Sequence, residues 1–408
     1  MTVAPLHEYQ SLFVGEEDIG DHRAVSQKIF DEIERFVLEN AETALFLKPG
    51  YKRGLGKVLQ AQNYVGVIQT RDGTTIEILP KIRNAGEAAS RAILIRMLKT
   101  LRNSPFKSLH KAHLKTAKLP LFEIFVTMFL EEIAILVRRG IRSDYLARED
   151  NLPYLKGKLK LREQIRHNRI HKERFFVRYD EYNSDRVENR LIKSTLHFLY
   201  KKSRSSRNQQ RIREFLFVFD AVSPSHDPRT DLARIKNDRQ MRDYEQILRW
   251  CRTFLLGESF SPYRGRSVAF ALLFDMNRLF ESYVGHYLQR RGFQVRLQDR
   301  RHHLAYQKGQ GRFQLKPDIV IVDKNIIADT KWKIISPDKP YQGVAQADMY
   351  QLHAYGTKYR SKSMYLIYPM DVPVAGNRYD YFRPDEHESI KLNVVFFDLK
   401  RDRFVRGR

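Results

Sequence analysis

Leu315 to Lys333 reads LKPDIVIVDKNIIADTKWK. Two apolar runs, Ile319–Val322 and Ile326–Ala328, flank the polar turn Asp323-Lys324-Asn325, a pattern that predicts a β-hairpin. Asp318 closes the dipeptide Pro317-Asp318, and Asp329-Thr330-Lys331 follows after ten intervening residues. Side chains alternate along a strand, so Asp329 and Lys331 project to one side. Asp318 joins them only on a suitable register. A two- or four-residue loop starting at Asp323 sets it opposite Asp329 or Lys331 respectively, whereas a three-residue loop sends it to the other face. Two adjacent carboxylates repel unless a cation lies between them, and oxygen ligands suit Mg²⁺. A lysine beside them can orient water or stabilise charge building on a phosphate under attack. The bland alternative is a set of solvated strand-end charges around a turn.

The flanks favour the first reading. An amphipathic helix expected over Arg278–Arg290 carries Glu281. A second helix, about Val344 to Lys358, places Gln351 and Tyr355 at i, i+4 on one face. This order of helix, strands, hairpin, helix and strands resembles the PD-(D/E)xK nuclease fold, with Asp318, Asp329 and Lys331 matching its core motif. Gln351-x-x-x-Tyr355 is similar to an extra motif of some branches. The resemblance implies a restriction-endonuclease-like α/β domain with a mixed sheet. It also implies Mg²⁺, or Mn²⁺ in its place, on Asp318 and Asp329, with Glu281 as a third carboxylate. Gln351 and Tyr355 would then position DNA or Lys331.

Composition sets wider bounds. A chain of 408 residues is too long for one ordinary core, so two or three domains are expected. Lys and Arg number 73 against 48 Asp and Glu, a net charge of +25 that favours a polyanionic partner such as nucleic acid. The single cysteine, Cys251, excludes an internal disulfide framework and fits a reducing, cytoplasmic location. Its neighbours Trp250 and Phe254 mark it as a core residue. The start, MTVAPLHEYQ, carries no secretory signal pattern. The most apolar long stretch, Leu119 to Val137, contains Glu123, Glu131 and Glu132, which argues for a buried helix and against a membrane span.

Along the chain, a helix is expected over Ala24–Leu38. Gly50–Lys57, GYKRGLGK, fails as a phosphate loop: Tyr51 stands where glycine is required, and Val58 replaces Ser/Thr. It reads as a basic turn. Tyr64–Thr70 and Thr74–Leu79 predict a hairpin, followed by helices over Glu87–Leu101 and Pro120–Arg139. Nine Lys/Arg against two acids lie between Lys156 and Arg178. Asp185 to Glu188 resembles a capping box, and basic helices are expected over Lys201–Arg213 and Arg239–Leu256. Gly257–Arg266 is turn-rich and is the candidate linker. His302-His303 and Glu386-His387-Glu388 read as surface residues rather than zinc ligands.

Several stretches then resemble one family within the nuclease superfamily, McrC, the nuclease subunit of modification-dependent restriction systems. They are Ile76–Lys81, Leu136–Leu159, Tyr179-Asp180-Glu181, Glu188-Asn189-Arg190, Met276–Val284, Asp329–Lys333 and Ala347–Gly356. The likeness runs from about residue 60 to the last helix, and residues 1–60 contribute nothing to it. It suggests an N-terminal β-containing domain over 1–120, a helical and basic partner-contacting region over 121–260, and the nuclease domain over 261–408. It implies a hexameric McrB-like AAA+ GTPase as partner and double-stranded, modified DNA as substrate. No Walker A loop is present, so the chain itself is expected to bind no nucleotide. The segment near 140–178 is the candidate for reaching into such a ring. Two alternatives stand beside this: a stand-alone repair or junction nuclease, and a non-cleaving activator of an AAA+ ring. The long family-like region before residue 260 argues against the first, and intact Asp318, Asp329 and Lys331 count against the second. Co-purification with an AAA+ protein, followed by nucleotide hydrolysis with and without this chain, is the most informative test.

Overall fold

The computed structural model describes residues 3–39, 46–70, 73–82, 85–101, 104–108, 119–235, 241–256, 270–333, 335, 339–361, 363–370, 378–381 and 390–405. The candidate linker Gly257–Arg266 and the Glu386-His387-Glu388 run lie outside them. Contacts gather the chain into two compact units: Met1–Leu121 with Ser259–Arg408, and Phe122–Glu258.

The first unit opens with β1 (Val3–His7), β2 (Ser11–Val14), β3 (His22–Val25), α1 (Gln27–Glu39), β4 (Leu47–Lys52), β5 (Gly56–Ala61), β6 (Tyr64–Gln69) and β7 (Thr75–Leu79). α1 starts later than expected because His22–Val25 pairs parallel with β2 instead of joining the helix. Its Phe30, Ile33, Phe36 and Val37 recur at helical spacing and pack into one core with Leu12, Leu59, Ile68 and Ile76. The GYKRGLGK stretch is the hairpin of β4 and β5, paired from Leu47↔Ala61 to Lys52↔Gly56. α2 (Glu87–Leu98) follows, and then α3 (Leu121–Arg139). The buried Glu77 of β7 pairs with Arg91 at 2.7 Å and accepts the Leu121 N–H at the start of α3. The motif Ile76–Lys81 therefore does structural work, closing a charge pair that would otherwise be stranded in the core.

The second unit runs through α3, β8 (Asp144–Leu152), β9 (Lys158–Leu159), α4 (Leu161–His167), β10 (Phe175–Asn183), α5 (Val187–Lys202), α6 (Ser206–Val218), α7 (Pro228–Arg234) and α8 (Arg242–Leu256). The helix expected over Lys201–Arg213 is broken between α5 and α6. Glu123 of α3 explains the break: its carboxylate accepts the Ser203 hydroxyl at 2.7 Å and the Arg204 N–H at 2.6 Å, which draws that backbone out of the helix. The expected capping box at Asp185 does not form either. Asp185 instead takes Arg190 at 2.6 Å and the Ser223 N–H at 2.8 Å, while Arg186 occupies the cap position and its side chain does not cap the helix. Asn189 donates to the carbonyls of Arg142 and Ser184 and accepts the Tyr244 hydroxyl. Cys251 is buried, and burial pushes its thiol up to about 12, so it is inert as a nucleophile.

The chain then returns to the first unit with β11 (Phe270–Asp275), α9 (Met276–Arg290), β12 (Val295–Leu297), β13 (His303–Gln307), β14 (Gln310–Gln314), β15 (Ile319–Ile321), β16 (Ile326–Thr330), α10 (Gln346–Tyr359), β17 (Ser363–Pro369), β18 (Arg378–Tyr381), β19 (Ile390–Asp398) and β20 (Arg403–Val405). Seven of these strands make a mixed sheet in the order β12-β15-β16-β17-β19-β18, with β20 also on β19. β16, β17 and β19 are parallel, and α10 is the crossover between the first two. β11 does not belong to this sheet. It pairs antiparallel with β6, giving the order β1-β7-β6-β11 and fastening the two halves of the unit together.

Gly66 makes that pairing possible. Its φ is +142°, and a Cβ there would lie 2.0 Å from the Leu272 carbonyl oxygen of β11. Gly66→Ala is therefore expected to lower the thermal midpoint by roughly 5 °C or more, read by thermal unfolding. An unchanged midpoint would contradict this close approach of β6 and β11.

Candidate active site

The hairpin of β15 and β16 pairs Ile319↔Ala328, Val320↔Ile327 and Ile321↔Ile326. Its loop starts at Val322, one residue earlier than the sequence suggests. The Val322 N–H is bonded on the β12 side of the strand, to the Gln294 carbonyl at 2.8 Å. A short 3-10 turn over Val322–Lys324 and a left-handed Asn325 (φ 47°) then complete the reversal. The register is nonetheless that of a two-residue loop at Asp323. Continued by one step, it sets Asp318 opposite Asp329.

The side chains converge at this end of the hairpin. One Asp318 carboxylate oxygen accepts both the N–H and the hydroxyl of Thr330 at 2.8 Å. Lys331 Nζ lies 2.7 Å from Asp329 Oδ2, 3.5 Å from Asp348 Oδ1, and donates to Gln351 Oε1 at 3.1 Å. Gln351 in turn donates to the Tyr355 hydroxyl at 2.6 Å. Asp348, Gln351 and Tyr355 stand at i, i+3 and i+7 of α10, one face of a helix that begins beyond the carboxyl end of β16. Ligands of open parallel sheets bind at such strand ends. α9 is capped by Asp275 and turns Glu281 inward with Leu279, Phe280, Val284 and Leu288. Glu281 accepts a bond from Gln298 at 2.5 Å.

Burial dominates the electrostatics. It pushes Asp329 up to about 7, helped by the Asp318 charge and opposed by Lys331. Burial and then the Asp318 charge push Glu281 up to about 8, with Gln298 opposing. Asp318 is raised by burial despite its bonds to Thr330. Burial works against the charged form of Lys331, yet Asp329 and its neighbours outweigh it and hold the ammonium above its usual range. Lys331 and Lys316 thus offset only part of the cost of burying the carboxylates, and the donor set is oxygen only. A hard divalent cation suits both properties. Among the described residues, no group of three or more His, Cys, Asp or Glu is arranged to hold a metal ion. Asp318 and Asp329 face one another as a pair, while Glu281 is tied to Gln298.

Four contributors escaped the sequence reading. Asp348 had a legible signal, three residues before Gln351 on the same helix face. Thr330 was visible only as the middle of Asp329-Thr330-Lys331. Gln298 reaches Glu281, and Glu8 reaches the indole of Trp332 beside Lys331, by tertiary contacts that left no local trace. Of the decoys, His302 packs edge-on against Tyr359 and His303 against Tyr306.

Fold and site together define an α/β protein with a mixed sheet and an acidic pair joined to a lysine at a parallel-strand end. The chain belongs to the family of McrBC 5-methylcytosine restriction system components, whose model matches residues 59–369. It is similar to the Escherichia coli (strain K12) type IV methyl-directed restriction enzyme EcoKMcrBC, at 26% identity over 125 residues. That match spans 30% of this chain and 36% of the relative, about a third of its length. A chain of the refined half-complex from the tetradecameric assembly of Thermococcus gammatolerans McrB AAA+ hexamers with bound McrC has the same fold. It aligns at a TM-score of 0.70 and 18% identity over 99% of this chain and 97% of that one. A chain of the cryo-EM structure of the Thermococcus gammatolerans McrBC complex aligns at a TM-score of 0.52 and 20% identity, covering 72% and 90% of the two chains. Among the described residues, no helix is long and apolar enough to cross a membrane.

Proposed function

We propose that the chain is the DNA-cutting subunit of a GTP-driven, modification-dependent restriction complex, with a PD-(D/E)xK site at Asp318, Asp329 and Lys331. The observation that carries this reading is the convergence of those three side chains on one hairpin end, with Lys331 held by Asp329, Asp348 and Gln351. Asp318 and Asp329 would hold Mg²⁺, or Mn²⁺ in its place, with Glu281 as a third carboxylate, directly or through water. Such a cation supplies Lewis-acid stabilisation of a phosphodiester under attack. Lys331, kept protonated by its acidic neighbours, is placed to contact the scissile phosphate or the water that attacks it. Gln351 and Tyr355 hold the lysine from the α10 side. The excess of 25 positive charges favours a DNA backbone as the substrate.

The partner in this reading is a McrB-like AAA+ GTPase hexamer. The 140–178 segment is its contact: a three-stranded sheet of β8, β10 and β9 with α4, bearing exposed Tyr145, Tyr154, Leu155, Ile165 and Ile170 among its basic residues. Exposed apolar side chains of this density suit a protein surface better than solvent. Alone, the chain is expected to hydrolyse neither GTP nor ATP, and to accelerate GTP hydrolysis by the ring when added to it. Phosphate release from each component and from the mixture tests this. Turnover by the pure chain, or an indifferent ring that demonstrably binds it, would contradict the reading.

A further inference from the structure

We propose that Glu8 is a positioning residue for the candidate active site: it holds the indole of Trp332 and so fixes the backbone that carries Lys331. This inference rests on the reading of Lys331 given above and gives a task to the segment before residue 59, which the family match does not reach. Glu8 is fully buried, and both of its carboxylate oxygens lie 3.0 Å from Trp332 Nε1. The Lys81 N–H donates to the same carboxylate at 3.1 Å, so the clamp is itself anchored at the end of β7. The neighbouring charges are Lys81 and Asp275, and Tyr9 lies close enough to sense the carboxylate.

Trp332 directly follows Lys331 and touches the site from a second direction. Its ring meets Phe280 edge-on at 5.5 Å, one residue before Glu281, and the Trp332 backbone N–H donates to Asn277 Oδ1 of α9 at 3.4 Å. The indole therefore ties Lys331 and Glu281, on different elements, to a single buried acceptor. Packing alone would not fix it. Glu8 and Trp332 border a cavity of about 360 Å³, shared with Lys81 and Lys333, into which a released indole could swing. A shift of about 1 Å in a reacting group costs on the order of 10²-fold in rate.

The test uses the full chain with its GTPase partner and methylated DNA. Glu8→Ala and Trp332→Phe should each lower the cleavage kcat by about tenfold or more, with the KM for DNA and stimulated GTP hydrolysis unchanged. The double variant should be no worse than either single one, since both break the same bond. Glu8→Gln keeps an amide oxygen for the indole N–H and should retain most activity. Fluorescence of the chain supplies a readout that does not depend on cutting. Its two tryptophans are Trp250 and Trp332. Emission should shift to the red in Glu8→Ala but not in Glu8→Gln, with no such shift in a Trp332→Phe background. If the complex cuts no DNA at all, the nuclease reading fails while the emission comparison still decides whether Glu8 holds Trp332. Unchanged emission in Glu8→Ala, a normal kcat despite shifted emission, or Glu8→Gln failing as badly as Glu8→Ala would each overturn the proposal.

Discussion

Lys331→Ala should lower DNA cleavage by about 10³-fold, the scale for removing one donor or proton-transfer group aimed at developing charge. The effect belongs in kcat, because a group acting at the scissile phosphate contributes little to holding the rest of the duplex. Lys331→Arg should not rescue it. A planar guanidinium cannot fill the point-charge position between Asp329, Asp348 and Gln351, whose oxygens lie 2.7, 3.5 and 3.1 Å from Nζ. Stimulation of the partner's GTP hydrolysis should survive, since that contact is assigned to the other compact unit. Cleavage within threefold of the unsubstituted chain would remove Lys331 from the chemistry.

Asp329→Asn is expected to abolish cleavage and, without divalent cations, to stabilise the chain at alkaline pH. The sign follows from the direction of the shift. Asp329 rises from 3.8 to about 7 in the folded chain, so between those values the folded state holds a proton that the unfolded state has lost. Stability is therefore shed as pH climbs from about 4 through about 7, and Glu281, raised to about 8, extends the loss further. The shift at Asp329 sets a ceiling of about 4 kcal/mol, and relaxation around the pair leaves a smaller share. In EDTA at pH 8 the Asn variant should melt a few degrees higher, on the order of 2–4 °C per kcal/mol. Mg²⁺ should raise the melting temperature of the unsubstituted chain increasingly with pH, because only the ionised carboxylates bind it, and should leave the variant unmoved. An Asn variant less stable than the unsubstituted chain at pH 8 in EDTA would show that the lysine contact outweighs burial, reversing the electrostatics described here.

Both expectations depend on a hairpin whose chemistry was readable in nineteen residues while its geometry was not. Alternation put Asp329 and Lys331 on one side without further help. The placing of Asp318 hung on loop length, and the reversal over Val322–Asn325, closed by the left-handed Asn325, keeps the two-residue register, which no local pattern announces. Helices α9 and α10 were legible from periodicity because each packs one apolar face. The start of α1, the break between α5 and α6, and the failed cap at Asp185 were not. In each case a tertiary partner (β2, Glu123, Ser223) outbid the local preference. The joining of the first 121 residues to the last 150 was invisible for the same reason. It has a practical consequence: a deletion beginning at residue 257 would strip β6 of β11 and dismantle the unit, so point variants separate the activities more cleanly than truncation does.

The most direct measurement follows DNA cleavage and GTP hydrolysis in one reaction, with the McrB-like partner, Mg²⁺ and methylated duplex. It compares the unsubstituted chain with the Asp318→Ala/Asp329→Ala variant. The expected result is intact DNA with the variant, a fall of at least about 10³-fold, together with GTP hydrolysis stimulated as before. Cut DNA in the variant reaction would contradict the assignment of the hairpin end as the cutting site.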